Sequence, residues 1–173
     1  MQLALCQFDT DAQAILAIFN HAILHTTALY EYNPRTMATM QQWFANKAAS
    51  NFPVWGLKNA EGELVAFGSY GTFRAFPAFK YSVEHSVYVH PDHQGKGYGR
   101  MMLEQLIQSA QQENYHLLIG GIDASNSGSI ALHQKLGFVH SGTITQAGFK
   151  FGRWLDLAFY QLTLSTPTEP VDG

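Results

Sequence analysis

The 173-residue sequence predicts a mixed α/β fold. Two hydrophobic periods alternate along it, one of three to four residues in helix-like stretches and one of two in strand-like stretches. A glycine-rich turn, His93-Gln94-Gly95-Lys96-Gly97-Tyr98-Gly99-Arg100, also falls where a strand pattern gives way to a helix pattern.

Residues 2–7 form an apolar run read as a short strand. Thr10 and Gln13 have the spacing of a capping box. Ile15, Ile18, Phe19, Ala22 and Ile23 then repeat on one helical face, which predicts a helix ending near His25. Asn33 as cap and Pro34 in the first turn predict a second helix, with Met37, Met40, Phe44 and Ala48 along one stripe. Between the two lies Leu29-Tyr30-Glu31-Tyr32, an aromatic segment suited to lining a pocket.

Val54 to Leu57, the turn Asn59-Ala60-Glu61-Gly62, and Leu64 to Tyr70 read as a hairpin. A long strand is expected at 79–90, with Val83, His85, Val87 and Val89 on one face and Glu84, Ser86 and Tyr88 on the other. Leu103, Leu106, Ile107 and Ala110 mark a third helix. Leu117 to Ile122 reads as a buried strand, Ser125 to Leu136 as a helix stopped by Gly137, and Phe138 to Thr143 and Trp154 to Leu164 as two last strands. Residues 1–164 are expected to form a single domain and residues 165–173 a mobile tail.

Hydrophobic residues make up 46% of the chain and charged residues 13%, which argues against disorder and leaves room for an oligomer interface, expected to be that of a homodimer. Ten Lys and Arg scattered in a chain of net charge -3 offer no basic stripe for nucleic acid. Met1-Gln2-Leu3-Ala4-Leu5 lacks a basic n-region, and no run approaches the roughly 20 apolar residues of a membrane span. Cys6 is the only cysteine and reads as core filler, so a reducing, cytoplasmic setting and no membrane partner are expected. No pair among His85, His90, His93 and His116 has zinc-ligand spacing with acidic company, so no metal is expected.

A strand running through glycines into a helix bares several backbone N–H groups at the positive end of the helix dipole, an arrangement that suits a phosphate. The turn is neither a P-loop, since Gly-Lys-Ser/Thr is absent, nor the dinucleotide fingerprint, since its third Gly comes one residue early. What Gln94-Gly95-Lys96-Gly97-Tyr98-Gly99 resembles is the Gln/Arg-x-x-Gly-x-Gly signature of the GCN5-related N-acetyltransferase (GNAT) superfamily. Val87-Tyr88-Val89-His90-Pro91 is similar to the strand that precedes it there, and Asn126 followed by Ser129 to Phe138 to the helix beside the pantetheine arm. Val83 to Val89, Lys150 to Leu157, Asn20-His21 and Arg74-Ala75-Phe76 resemble the phosphinothricin N-acetyltransferase group, within it the methionine sulfoximine and methionine sulfone acetyltransferases. The resemblance spans about residues 2–164.

The resemblance implies the acyl-CoA N-acyltransferase fold, a mostly antiparallel central sheet with helices on both faces. It implies acetyl transfer from acetyl-CoA to the α-amino group of a small amino-acid analogue. Carried over by position, Glu84 is the general base. Val87, Tyr88, Val89, Gly95, Lys96, Gly97, Tyr98, Gly99, Arg100 and Asn126 contact the coenzyme, and Arg74, Ala75, Phe76, Glu84, His85 and Ser86 contact the substrate. Many members have Tyr at the position of His133, the usual acid for the departing thiolate. His133 either takes that role or packs beside the coenzyme as a neutral ring.

The chemistry is consistent with these residue types. A free α-amino group is mostly protonated near pH 7, so a base must remove a proton before it attacks a thioester. The charge that grows on the carbonyl oxygen needs a fixed donor, expected near Val87, and the Arg74 guanidinium can hold a carboxylate by two parallel bonds. Phe76, Tyr30 and Trp154 are candidate pocket walls, whereas Lys150 and Arg153 default to exposed surface charge. Asn126 and His133, seven apart, are expected on the same helix face. Two further readings remain: a peptide or protein amine as acceptor, and a non-catalytic acyl-CoA-binding module.

Overall fold

The computed structural model describes residues 1–173. The elements run β1 (Gln2–Leu5), α1 (Phe8–His25), α2 (Met37–Ala49), β2 (Val54–Lys58), β3 (Leu64–Thr72), β4 (Ser82–Val89), α3 (Tyr98–Gln112), β5 (Leu117–Asp123), α4 (Ser127–Lys135), β6 (Val139–Lys150) and β7 (Arg153–Thr163). The strands form one seven-stranded mixed sheet ordered β1-β2-β3-β4-β5-β7-β6. β4 and β5 pair in parallel, whereas β1 with β2, β2 with β3, β5 with β7 and β6 with β7 are antiparallel. Two compact units emerge, one of Met1–Tyr70 with Ser86–Leu106 and one of Gly71–His85 with Ile107–Gly173.

In the first unit α1 buries Ile15, Ile18, Phe19, Ala22 and Ile23, the stripe read from the sequence, against Met40, Val54, Leu64 and Phe67. Phe19 meets Phe67 and Tyr88 with ring centroids 4.8 and 5.1 Å away, and such aromatic pairs add stability beyond their buried area. The expected capping box at Thr10 is not the start of α1, which opens two residues earlier at Phe8. The reason is Asp11: its carboxylate turns back to accept the Gln7 N–H at 2.8 Å and the Thr10 hydroxyl at 2.9 Å, and it pairs with Lys58 Nζ at 2.7 Å. Burial pushes the Asp11 carboxyl upward, and the Lys58, Gln7 and Thr10 bonds outweigh it and hold the group below its ordinary value.

The second helix also starts elsewhere than expected, at Met37 rather than after Asn33-Pro34. Thr36 and Thr39 cap each other reciprocally, satisfying two donors that a helix start leaves open. Asn33 and Pro34 belong to the preceding loop, whose end is fastened where Arg35 donates its N–H to Asn20 Oδ1 at 2.7 Å and Asn20 Nδ2 donates to the Arg35 carbonyl at 3.1 Å. Within the loop Leu29 is core while Tyr30 and Tyr32 are exposed. Cys6 is buried, and burial first, then the Asp11 charge, pushes its thiol up to about 12. β2 clears it with Gly56, where a Cβ would stand 2.5 Å from the Cys6 sulfur.

In the second unit the first half of β4 lies beside β5, pairing Ser82 with Leu117, Val83 with Leu118 and Glu84 with Ile119. β4 begins at Ser82 rather than at 79, because Pro77–Phe79 close a single 3-10 turn. β6 runs on to Lys150, past its expected end at Thr143. A bulge between Ile144 and Gly148 makes this possible. There Gln146 takes a left-handed conformation, φ 54°, and gives its N–H to Asp156 Oδ1 at 2.8 Å, so the strand bends and continues. Gly137, at φ +90°, ends α4 as its position in the sequence predicts. The tail expected to be mobile is bonded at two places: Thr166 to Tyr115 and His116, and the Val171 N–H to the Tyr81 hydroxyl at 3.1 Å.

Candidate active site

The glycine turn lies in the first unit. After Val89 the chain makes a 3-10 turn at Pro91–His93 and then passes through Gly95 at φ +73° and Gly97 at φ +82° before α3 opens at Tyr98. Both glycines occupy the left-handed region where a side chain is strained, and no atom lies within 4 Å of where a Cβ would stand. The main-chain bonds of this stretch run from Gln94 N to Pro91 O and from Met101 N to Gly97 O, and no protein acceptor takes the N–H groups of residues 95–100. A set of bare amides at the head of a 15-residue helix is a fitting cradle for a doubly charged pyrophosphate bridge. Lys96 Nζ stays close by, 3.3 Å from His93 Nδ1, and Arg100 pairs with Glu104 at 2.8 Å.

Val87 and Val89 pack on the cluster of Leu57, Val65, Ala66 and Met102, which holds the end of β4 rigid. Tyr88 points the other way, onto Phe19 and Phe67. Gly68 permits the close approach of Ser86, whose carbonyl oxygen would lie 3.1 Å from a Cβ there. An open groove of about 470 Å³ elsewhere in this unit, lined by Asp11, Lys58, His90, His93 and others, contains none of Gly95 to Arg100.

Glu84, His85, Arg74, Asn126 and His133 lie in the second unit. Glu84 stands on the open face of β4 across from Ile119. The strand beside it carries Gly121, where a Cβ would come within 3.0 Å of Glu84 Oε1, so a glycine is what gives the carboxylate its place. Surrounding protein pushes the Glu84 carboxyl above its ordinary value, and the Arg74 guanidinium pulls in the opposite direction. Arg74, Ala75 and Phe76 form the exposed loop before the 3-10 turn, with Phe76 71% exposed.

His85 points inward from β4, as its alternation with Val83 predicts, and meets His133 of α4 with Nε2 atoms 2.9 Å apart. Both rings are buried and lie against Phe138. Asn126 precedes α4 rather than lying within it: it is the cap, and its Oδ1 accepts the Ser129 N–H at 3.1 Å. Its main-chain carbonyl accepts the Ile130 N–H at 3.1 Å and so starts the helical spiral two turns before His133, yet its side chain is exposed where the His133 ring is buried.

Two side chains assigned to the surface divide. Lys150 is buried, since β6 extends far enough to carry it inside, with Nζ 5.0 Å from the Phe151 ring. Arg153 stays half-exposed, 3.5 Å from the buried Asp123 carboxylate. Tyr30, Phe76 and Trp154, the candidate pocket walls, are exposed in the single chain. Sequence reasoning missed the His85–His133 contact and the two small residues that serve it and Glu84. The available signal was Gly120-Gly121 in the middle of a buried strand, which marks a close approach. No three His, Cys, Asp or Glu side chains converge in a way that would hold a metal ion.

Comparison with known proteins places this arrangement in context. The profile of the acetyltransferase (GNAT) family matches residues 17–138. The L-methionine sulfoximine/L-methionine sulfone acetyltransferase of Pseudomonas aeruginosa is 44% identical over 154 residues, 89% of this chain and 90% of that one. A phosphinothricin N-acetyltransferase of Alcaligenes faecalis is 33% identical over 91% of this chain and 80% of its own length. Among solved structures, a GNAT superfamily phosphinothricin acetyltransferase from Sinorhizobium meliloti in complex with acetyl-CoA superposes with a TM-score of 0.93 at 30% identity, covering 99% of this chain and 94% of that one.

Proposed function

The chain belongs to the acetyltransferase (GNAT) family, and from that footing we propose that it moves the acetyl group of acetyl-CoA to the α-amino group of a small amino-acid analogue of the methionine sulfone, methionine sulfoximine or phosphinothricin type. The observation that carries the reading is Glu84, a carboxylate on β4 given its place by Gly121 and held above its ordinary pKa by the protein around it, against the pull of the Arg74 charge. The 44% identity with an enzyme named for two such substrates narrows the acceptor class.

Acetyl-CoA supplies an acyl group already activated as a thioester. The amides of Gly95, Lys96, Gly97, Tyr98, Gly99 and Arg100 hold its pyrophosphate, with Val87, Tyr88, Val89 and Asn126 as further contacts. Arg74 pairs with the acceptor's carboxylate in two parallel bonds, and Ala75, Phe76 and Ser86 complete the acceptor side, while the His85 ring expected there is turned inward onto His133. Glu84 takes the ammonium proton directly or through a water, leaving a lone pair free to attack. The backbone N–H near Val87, fixed by the strand, receives the charge that develops on the carbonyl oxygen.

Residues 1–164 serve as one acetyltransferase domain and 165–173 as its tail, in a cytoplasmic enzyme whose one buried thiol suits a reducing compartment. The enzyme is a homodimer. Its support is the apolar surface of the edge strand β6, the turn after it and the start of β7, where Val139, Ile144, Phe149, Phe151 and Trp154 are 47% to 60% exposed. Light scattering is expected to return twice the 19.3 kDa chain mass, and a value equal to one chain removes the dimer.

A thiol-release assay across methionine sulfone, methionine sulfoximine, phosphinothricin, common amino acids and a peptide tests the activity. Release with the sulfone, sulfoximine or phosphinothricin compounds is expected. Reaction with the peptide alone moves the acceptor to a protein amine, and no release with any amine despite coenzyme binding leaves a binding module.

A further inference from the structure

The ring protons of His85 and His133 follow from one neighbour. His133 Nδ1 lies 2.7 Å from the Ser129 carbonyl oxygen, which only accepts, so Nδ1 carries a hydrogen. Burial disfavours charge on either ring, lowering His133 below its ordinary value and, with His133 repulsion second, pushing His85 down to about 3. A neutral His133 with hydrogen on Nδ1 has a bare Nε2. The 2.9 Å contact therefore runs from His85 Nε2–H to His133 Nε2, and the Ile119 main chain works against the fall of the His85 pKa without reversing it.

The surroundings are built for this contact. At Gly120 a Cβ would stand 2.9 Å from His85 Cε1 and 3.2 Å from His133 Nε2, so β5 runs past both rings only as glycine. The bond joins residues 48 apart in sequence and ties α4 to β4 one residue after Glu84.

We infer that His85 is a positioning residue: by donating Nε2–H to His133 it fastens α4 to β4, holds Asn126 in place to meet the coenzyme, and keeps His133 a neutral ring whose only hydrogen is committed to Ser129. The inference rests on the reading of Asn126 as a coenzyme contact and selects one of the two roles open to His133. As the C–S bond of the thioester breaks, the departing thiolate takes its proton from water rather than from His133.

The nitrogen-15 imidazole spectrum of the full-length wild-type chain at neutral pH tests the bonding without any turnover. His133 is expected as the Nδ1–H tautomer and His85 as the Nε2–H tautomer; hydrogen on His133 Nε2 overturns the inference. Calorimetry with acetyl-CoA tests the consequence. His85→Leu is expected to weaken binding about tenfold, the equivalent of one lost hydrogen bond, while His85→Gln, whose amide nitrogen falls near the imidazole Nε2, stays within about threefold of wild type. Equal affinity in all three proteins overturns it. If His85→Leu does not fold, Gly120→Ala, which keeps both rings and forces them apart, is expected to weaken coenzyme binding in its place, and unchanged binding overturns the inference. Expected tautomers and affinities with no thiol release from any amine count against the proposed activity and not against the histidine pair.

Discussion

Glu84→Gln is expected to lower kcat/KM for the acceptor amino acid by about 10²- to 10⁴-fold, the range over which a positioned general base contributes. Glutamine keeps the size and the hydrogen-bonding reach of the side chain and removes only its ability to accept a proton, so coenzyme affinity should stay near wild type. The pH profile of wild type carries the same information. The acting form of Glu84 is the carboxylate, and protein around it raises its pKa while Arg74 works against the rise. Activity therefore falls as pH drops through a value above the ordinary 4.5 of a glutamate, and this acid limb should be absent from the residual activity of Glu84→Gln. Retention of wild-type kcat/KM by the variant would remove Glu84 as base.

Arg74→Ala is expected to reduce kcat/KM by roughly 10- to 100-fold, mostly through KM, because the bonds lost are charge-assisted and worth about 1.5–3 kcal/mol together. Two accompanying signs separate this from general damage. An acceptor whose carboxylate is replaced by an amide should be nearly indifferent to the substitution. The acid limb of the profile should also move further upward, since the Arg74 charge is the influence that lowers Glu84. Arg74→Lys should recover part of the loss, because an ammonium offers a point charge in place of a planar fork. An equal loss for the carboxylate and amide acceptors would place Arg74 outside the acceptor site.

The two residues differ in how visible they were from sequence. Glu84 sits in a strand whose alternation of apolar and polar residues gives its face directly. Arg74 lies in a loop without period, and only resemblance singled it out. The same contrast runs through the fold. The α1 stripe from Ile15 to Ile23 and the hairpin of Val54 to Tyr70 were legible because burial on one face writes a period into the chain. The openings of α1 and α2 were misplaced because capping depends on which polar side chain wins the first free N–H groups. Asp11 and the Thr36–Thr39 pair won over the expected Thr10 and Asn33. β6 was cut short because Gln146 breaks the alternation with a bulge that bends the strand without ending it.

What the sequence determined by itself is local: the order of helices and strands, the stripes that face the core, and a turn whose Gly95 and Gly97 adopt backbone angles few other residues tolerate. Each depends on neighbours within a few residues, and short-range sterics and periodicity are sufficient to specify them. Only the tertiary structure decided that Lys150 is buried and that His85 meets His133 against Gly120. Those outcomes join residues far apart along the chain. No periodic pattern records such contacts, which exist only once strand pairing and burial have brought the partners together.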